Sequence, residues 1–301
     1  MPVQWEGVFP ALTTKFTPDD KLDAEAMELH FCRQIDAGVN GFVVLGSLGE
    51  NGTLSPDEKQ EIIKLATRVS NNRIPILSGV AETTTSRACH FAEQAAANGA
   101  HGFMVLPPMQ YVSDKRETIH YLRTIAQATD RPIMIYNNPI AYQVDVTPAM
   151  FAELADEPRF VALKESSEDV RRITDIRNLV GNRYKIFVGV DDLALESLLL
   201  GADGWVAGLV CAFPEETVAL YKLVKAGRIP EALAMYRWFT PLLHLDAQVK
   251  FIQYIKLAEA MAGLGTERMR SPRLPITGQE RKEVESIIRR ALDTRPTLPK
   301  A

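Results

Sequence analysis

Short apolar runs alternate with amphipathic stretches along the first two thirds of the chain. Within each run the apolar residues are continuous, which is typical of strands covered on both faces. The eight runs span residues 8–13, 41–45, 75–79, 102–106, 132–136, 160–164, 185–189 and 204–207. Between these runs, apolar residues recur with helical spacing over residues 22–37, 55–69, 86–98 and 117–128. This order predicts βα units and a parallel sheet.

The number of predicted strands favours a closed (β/α)8 barrel over an open doubly wound sheet, because eight strands close without free edges. A repeated glycine pattern supports this alternation of helices and strands. Gly38, Gly99 and Gly201 each end a predicted helix, and a second glycine three residues later opens the next strand. Glycine suits both positions because such turns need positive φ or close backbone approach. Between the last two strands, residues 191–200 leave room only for a short helix.

The residues after the eighth run are too many for one closing helix. Helical patterns cover residues 215–225, 230–245, 250–262 and 278–292. We therefore expect residues 1–215 to form the main body of the barrel, and residues 216–301 to form the last barrel helix plus a C-terminal helical tail. No linker rich in glycine or serine indicates a separate mobile domain.

Composition excludes several classes of protein. The 301 residues carry a net charge of −4, with 46% hydrophobic and 24% charged residues, which is an ordinary globular mixture. No basic block predicts binding to nucleic acid or to an acidic membrane. No apolar stretch approaches the roughly 20 residues of a membrane helix, and the N-terminus lacks a signal-peptide pattern. Three widely spaced cysteines favour a reducing compartment, so we expect a cytoplasmic protein.

A lysine ends the sixth predicted strand. Barrel enzymes carry their sites at the C-terminal ends of the strands. Lys164 occupies such an end, whereas Lys185 begins the next strand and belongs to the opposite rim. An amine buried in the barrel mouth has a lowered pKa and can attack a carbonyl to form a Schiff base. From the residue alone, a surface or salt-bridged lysine is the alternative.

Two further features lie at strand ends. Tyr136 ends the fifth strand, where its hydroxyl could transfer protons beside a lysine of the neighbouring strand. The alternative is a core aromatic residue. The loop 46–52 after the second strand is rich in small residues, whose exposed N–H groups commonly hold a carboxylate or phosphate. It lacks the Lys-Ser/Thr of a nucleotide phosphate loop, and taken alone it also fits a plain loop.

These motifs together resemble the dihydrodipicolinate synthase / N-acetylneuraminate lyase family of Schiff-base (β/α)8 enzymes. The match rests on a Gly-x-x-Gly-Glu loop at residues 46–50, a Tyr-Asn-x-Pro segment at 136–139 and the strand-borne lysine in Leu-Lys-Glu-Ser at 163–166. It runs from about residue 7 to residue 213, and the helical tail is also like that of the family.

The resemblance implies roles for particular residues. Lys164 would be the Schiff-base nucleophile and Tyr136 the proton-transfer residue, with no metal and no cofactor besides the covalent imine. The residues implied to bind a pyruvate-like substrate are Gly46, Ser47, Leu48, Gly49 and Val206. Further candidates are Glu50, Asn138 and Tyr111. The resemblance also implies a homotetramer built of dimers, with the loop 109–111 near a subunit boundary.

Three positions depart from dihydrodipicolinate synthases. Those enzymes carry a second hydroxyl residue in the glycine loop, a tyrosine in the loop after strand four, and an arginine after Tyr-Asn-x-Pro. Here these places hold Leu48, Met109 and Ala141. Leucine cannot pass a proton, and alanine cannot bind a carboxylate. Tyr111, two residues after Met109, is a candidate substitute for the loop tyrosine.

The residues in these motifs most resemble those of one branch of the family, the 1-pyrroline-4-hydroxy-2-carboxylate deaminases of hydroxyproline degradation. By that resemblance, Lys164 attacks C2 of a cyclic imine and opens the ring. The iminium is then the electron sink for loss of the 4-hydroxyl, and water releases 2-oxoglutarate semialdehyde and ammonia. The alternatives are 4-hydroxy-tetrahydrodipicolinate synthase, another pyruvate-dependent aldolase, or a 2-keto-3-deoxy sugar acid dehydratase.

Other classes of protein fit the sequence less well. A metal-dependent aldolase needs clustered histidines and carboxylates, and the five histidines show no ligand spacing. A dinucleotide enzyme needs G-x-G-x-x-G after the first strand, where residues 10–14 read Pro-Ala-Leu-Thr-Thr. A binding protein or regulator of this fold would have lost its catalytic residues, whereas this sequence retains Lys164, Tyr136 and the loop 46–50.

Overall fold

The computed structural model describes residues 2–298 and contains eight parallel strands. They are β1 Gly7–Pro10, β2 Phe42–Val44, β3 Ile76–Val80, β4 Gly102–Val105, β5 Ile133–Asn137, β6 Phe160–Glu165, β7 Lys185–Val188 and β8 Gly204–Ala207. From β2 to β8 each strand pairs with the next, and β1 pairs with β8. An isolated bridge between Ala11, directly after β1, and Val43 on β2 completes the circle. This confirms the predicted (β/α)8 barrel.

Twelve α-helices accompany these strands in the described part of the chain. They are α1 Ala24–Asp36, α2 Pro56–Ser70, α3 Thr85–Ala97, α4 Lys115–Gln127, α5 Pro139–Tyr142, α6 Pro148–Glu153, α7 Arg171–Val180, α8 Ala194–Leu199, α9 Pro214–Lys225, α10 Ile229–Leu243, α11 Phe251–Met261 and α12 Gly278–Asp293. Helix α9 follows β8, and α10–α12 form the C-terminal tail. The expected division after residue 215 falls inside the first turn of α9, and residues 1 and 299–301 lie outside the described residues.

The glycine pattern has the predicted physical basis. Gly38, Gly99 and Gly201 have φ values of 88°, 105° and 99°. At the start of β8, a Cβ on Gly204 would overlap the ring of Phe187. That ring packs edge-on against Phe9, with the two centroids 5.3 Å apart. The glycines therefore end the helices and make room for the aromatic rings that fill the barrel.

No helix in residues 2–298 is long and apolar enough to cross a membrane.

Buried ion pairs join the helical tail to the barrel. The Lys15 ammonium, just after β1, lies 2.6 Å from the carboxylate of Glu259 on α11, and both side chains are buried. Thr13 donates a hydrogen bond of 2.7 Å to the same carboxylate. A second buried pair joins Lys256, also on α11, to Glu50 in the loop after β2. Helix α11 is therefore anchored to the mouth of the barrel by charge as well as by apolar packing.

Removing one partner of the first pair should destabilise the fold strongly. Glu259→Gln leaves the buried Lys15 ammonium without its counter-charge, and such losses cost about 3–5 kcal/mol. The matched control is Glu280→Gln, which removes the half-exposed partner of Lys250 at 2.7 Å and should cost under about 1 kcal/mol. Urea denaturation of both variants at one protein concentration measures the difference. Equal small losses would contradict an anchoring role for Glu259.

Candidate active site

Lys164 and Tyr136 face each other at the C-terminal ends of neighbouring strands. They are partners in the parallel register of β5 and β6. The Lys164 Nζ lies 4.2 Å from the centroid of the Tyr136 ring, and each residue is only 6% exposed. The sequence places both residues at strand ends, and the structure brings them together inside the barrel mouth.

The position of the Lys164 side chain requires a glycine at the end of the neighbouring strand. A Cβ at Gly189, directly after β7, would lie 2.5 Å from the Lys164 Cε. Burial lowers the pKa of Lys164, and the nearby carboxylates of Asp246 and Asp191 oppose that shift. Burial also raises the pKa of Asp191 to about 6. Since a lowered pKa enlarges the neutral fraction, the amine is suited to nucleophilic attack.

The loop 46–50 is bounded by two residues in the left-handed region. Leu45 has φ 60° and Glu50 has φ 55°, an uncommon conformation for side chains of this size. A Cβ on Gly79 would overlap the Leu45 carbonyl oxygen, so this glycine permits the turn. The Thr14 hydroxyl donates to the Gly49 carbonyl at 2.7 Å. Backbone geometry and this bond hold the loop against the ends of β1 and β3.

A second tyrosine completes a hydroxyl cluster above Lys164. The Tyr142 hydroxyl, from the short helix α5, hydrogen-bonds to Ser47 Oγ. The Tyr142 ring packs edge-on against Tyr136, with centroids 5.7 Å apart and an interplanar angle of 85°. Asn138 Nδ2 donates to the Tyr136 hydroxyl at 3.1 Å, and Asn138 Oδ1 accepts from Ala141 N at 2.9 Å. Asn138 therefore holds both the phenol and the start of α5.

Four of the other predicted residues are buried. Gly46, Leu48 and Gly49 are buried in the loop, and Val206 is buried on β8. Leu48 offers no hydroxyl at the position where dihydrodipicolinate synthases carry one. Their roles in binding remain predictions.

Two candidates lie in other surroundings. Glu50 binds the Lys256 ammonium and accepts from Arg270 N at 3.1 Å, so its carboxylate ties the loop to the tail. Tyr111 is 58% exposed, and the nearby Glu117 carboxylate raises the pKa of its phenol. Within one chain, the structure does not bring Tyr111 to the hydroxyl cluster. Contribution of Tyr111 to a neighbouring subunit remains a prediction.

Sequence reasoning missed Tyr142, Asp191 and Asp246. Asp191 accepts from Trp205 Nε1 at 2.9 Å and from Leu209 N at 2.7 Å, so it fixes the end of β8 beside the lysine. Asp246 comes from the loop between α10 and α11, and burial raises its pKa well above the usual range. Gly208 admits it, because a Cβ there would overlap the Asp246 carboxylate. The Asp191-Asp192 pair, which follows β7 after two residues, was a visible signal in the sequence, whereas Asp246 lies in a loop between two tail helices and belongs to no motif.

A buried group of metal-ligand residue types also escaped the sequence analysis. Ligand atoms of His30, Cys211 and Glu259 lie within 4.8 Å of one another. The Glu259 carboxylate already binds the Lys15 ammonium, and burial with the Lys15 charge lowers the pKa of His30 well below its usual range. This arrangement is an ion-pair network in which an ammonium, not a metal ion, neutralises the carboxylate.

Comparison with known proteins gives the family. The sequence model of the Dihydrodipicolinate synthetase family matches residues 4–291. The chain belongs to this family. Members of the family are lyases.

Individual relatives agree with this assignment. A 4-hydroxy-tetrahydrodipicolinate synthase of an Exiguobacterium species is 32% identical over 270 residues, covering 90% of this chain and 91% of the relative. The corresponding synthase structure from Methylacidiphilum fumariolicum SolV superposes with a TM-score of 0.92 at 27% identity, covering 96% of both chains. The chloride-inhibited dihydrodipicolinate synthase from Acinetobacter baumannii, in complex with pyruvate, gives 0.92 at 26% identity, covering 96% of this chain and 99% of that one.

Proposed function

We propose that this protein is a lyase that forms a Schiff base between Lys164 and a small 2-oxo acid or cyclic imino acid. The observation that carries the proposal is the buried Lys164 amine, whose Nζ lies 4.2 Å from the centre of the Tyr136 ring. Burial lowers the pKa of this amine, which favours its nucleophilic form. Family membership supports the same chemistry.

The surrounding residues supply the remaining roles in this proposal. The backbone N–H groups of the loop 46–49, with the Ser47 hydroxyl, bind the substrate carboxylate. Tyr136 donates a proton to the carbinolamine hydroxyl, which leaves as water and produces the imine. Val206 packs beside the imine carbon. The reaction needs no metal and no further cofactor, since the protonated imine is itself the electron sink.

Two substrates are candidates. The names of the relatives favour condensation of pyruvate with aspartate semialdehyde, as in 4-hydroxy-tetrahydrodipicolinate synthases. The residues of this chain favour a single-substrate reaction, because Leu48, Met109 and Ala141 lack the groups that a second substrate needs. On those residues we propose 1-pyrroline-4-hydroxy-2-carboxylate as the substrate, with deamination to 2-oxoglutarate semialdehyde. We also propose that the enzyme is a cytoplasmic homotetramer.

Reductive trapping tests the Schiff base directly. Incubation with pyruvate and then borohydride should attach a reduced pyruvyl group to Lys164, found by peptide mass spectrometry, because borohydride converts the reversible imine into a stable secondary amine. Lys185 is the internal control, since its ammonium pairs with Asp203 at 2.9 Å on the opposite rim.

Lys164→Met should lose the label, and the pyrroline should compete with pyruvate for wild-type Lys164 and lower the yield of the pyruvyl adduct. Labelling at another lysine, or none at all with pyruvate and the pyrroline, would refute the proposal.

A further inference from the structure

Tyr142 supplies a hydroxyl where the glycine loop lacks one. The second position after Gly46 is Leu48, so the loop itself offers only the Ser47 hydroxyl. Tyr142 hydrogen-bonds to Ser47, and its ring contacts that of Tyr136 edge-on. Burial raises the pKa of Tyr136, and the polar side chains of Asn138, Ser166 and Tyr142 oppose that rise. Ser47, Tyr142 and Tyr136 are thus neighbouring hydroxyl residues of a single chain, joined by the Ser47–Tyr142 hydrogen bond and the contact between the two tyrosine rings.

The local sequence explains how Tyr142 reaches this position. Asn138 is the N-cap of α5, with Pro139 in its first turn, and the helix ends at Gln143 with φ 58°. A helix of four residues places Tyr142 one turn above Asn138, and Tyr142 N donates to the Asn138 carbonyl at 3.0 Å. Since Asn138 also donates to the Tyr136 hydroxyl, one residue orients both phenols.

We propose that Tyr142 is a catalytic residue that relays protons between solvent and Tyr136, with Ser47 positioning its hydroxyl. This inference rests on the proposed Schiff-base function. When Tyr136 gives its proton to the departing carbinolamine hydroxyl, the Tyr142 O–H gives its proton to the Tyr136 phenolate. Solvent then reprotonates Tyr142, so that one proton moves from solvent to the leaving water. Each chain would therefore hold its own relay, without a tyrosine from a partner.

Exchange of the pyruvate methyl hydrogens with D2O tests the relay without knowledge of the natural substrate. The imine must tautomerise to the enamine and back, and both steps move protons through the site. Tyr142→Phe keeps the ring and removes only the hydroxyl, so the exchange rate should fall by about 10²-fold or more. Borohydride trapping at Lys164, measured at equilibrium, should persist. Tyr121→Phe, which removes a buried phenol hydroxyl on α4, should stay within about threefold of wild type.

A double-mutant cycle separates a relay from simple packing. If Tyr142 acts through Tyr136, the double variant Tyr136→Phe/Tyr142→Phe should exchange no more slowly than Tyr136→Phe alone, because residues that act as a unit are not additive. Multiplied losses would overturn the relay, as would full exchange in Tyr142→Phe. Loss in Tyr111→Phe with normal Tyr142→Phe would assign the relay to the loop after β4 instead. Failure of wild-type trapping would refute the Schiff-base function itself, and is thereby distinguished from failure of the relay.

Discussion

Replacing Lys164 with methionine is expected to lower turnover by at least about 10⁴-fold, on the scale seen when a catalytic nucleophile is removed. Methionine has a similar volume but no amine, so no covalent imine can form. Steady-state assays of the purified variant with each candidate substrate measure the loss. Lys185→Met removes a lysine from the opposite rim and should remain within about threefold of wild type.

The same substitution should leave the protein folded. Because burial lowers the pKa of Lys164, folding disfavours the ammonium, and this penalty is present below the folded pKa. It disappears as the pH rises above the unfolded lysine pKa of about 10.4. Asp191 keeps its Trp205, Gly208 and Leu209 N–H donors when the cation is removed. We therefore expect the Tm of Lys164→Met at neutral pH to equal or exceed that of wild type. The difference between the two Tm values should shrink toward pH 10.

Thermal unfolding of both proteins across this pH range checks the sign. A Tm at neutral pH more than about 5 °C below wild type would mean that Lys164 supports the fold, and the lost activity would then say little about chemistry.

The barrel could be predicted because its signals are local. Continuous apolar runs mark strands buried on both faces, and paired glycines mark the turns between helix and strand. The predicted ends differ from the structure by a few residues, as at β1, where apolar residues continue past Pro10 into the loop that carries Lys15. Ala11 and Leu12 still make backbone hydrogen bonds to β8 and β2, so the sheet continues past the end of β1, and periodicity alone does not locate where it stops.

The pairing of Lys164 with Tyr136 could also be predicted, since adjacent parallel strands end at the same rim. Tyr142 could not, because its contact with Ser47 spans 95 residues and depends on where a four-residue helix ends. Asp246 reaches the lysine only through the packing of two tail helices. Such long-range polar contacts leave no periodic trace in a single sequence.

The strongest test of the substrate compares two reactions on one enzyme preparation. We expect kcat/KM for 1-pyrroline-4-hydroxy-2-carboxylate to exceed that for condensation of pyruvate with aspartate semialdehyde by at least about 10³-fold, which corresponds to about 4 kcal/mol. The second substrate's carboxylate has no arginine at Ala141, and losing a charged hydrogen-bond partner costs roughly 1.5–3 kcal/mol. Beyond the relay through Tyr142, Leu48 and Met109 add no proton carrier for the second substrate's aldehyde, and this slows condensation further.

A gain-of-function variant makes this comparison sharper. Ala141 is exposed on α5, so Ala141→Arg can be accommodated and supplies the missing cation. It should raise kcat/KM for condensation by about tenfold, the return of roughly 1.4 kcal/mol, while the pyrroline reaction gains nothing from it. Ala141→Met is the matched control for side-chain volume.

The names of the relatives favour faster condensation than deamination by the wild-type protein, and that result would be decisive. If the wild-type protein condenses the two substrates at ordinary enzymatic rates and ignores the pyrroline, Leu48, Met109 and Ala141 do not limit the reaction, and the synthase function replaces the deaminase.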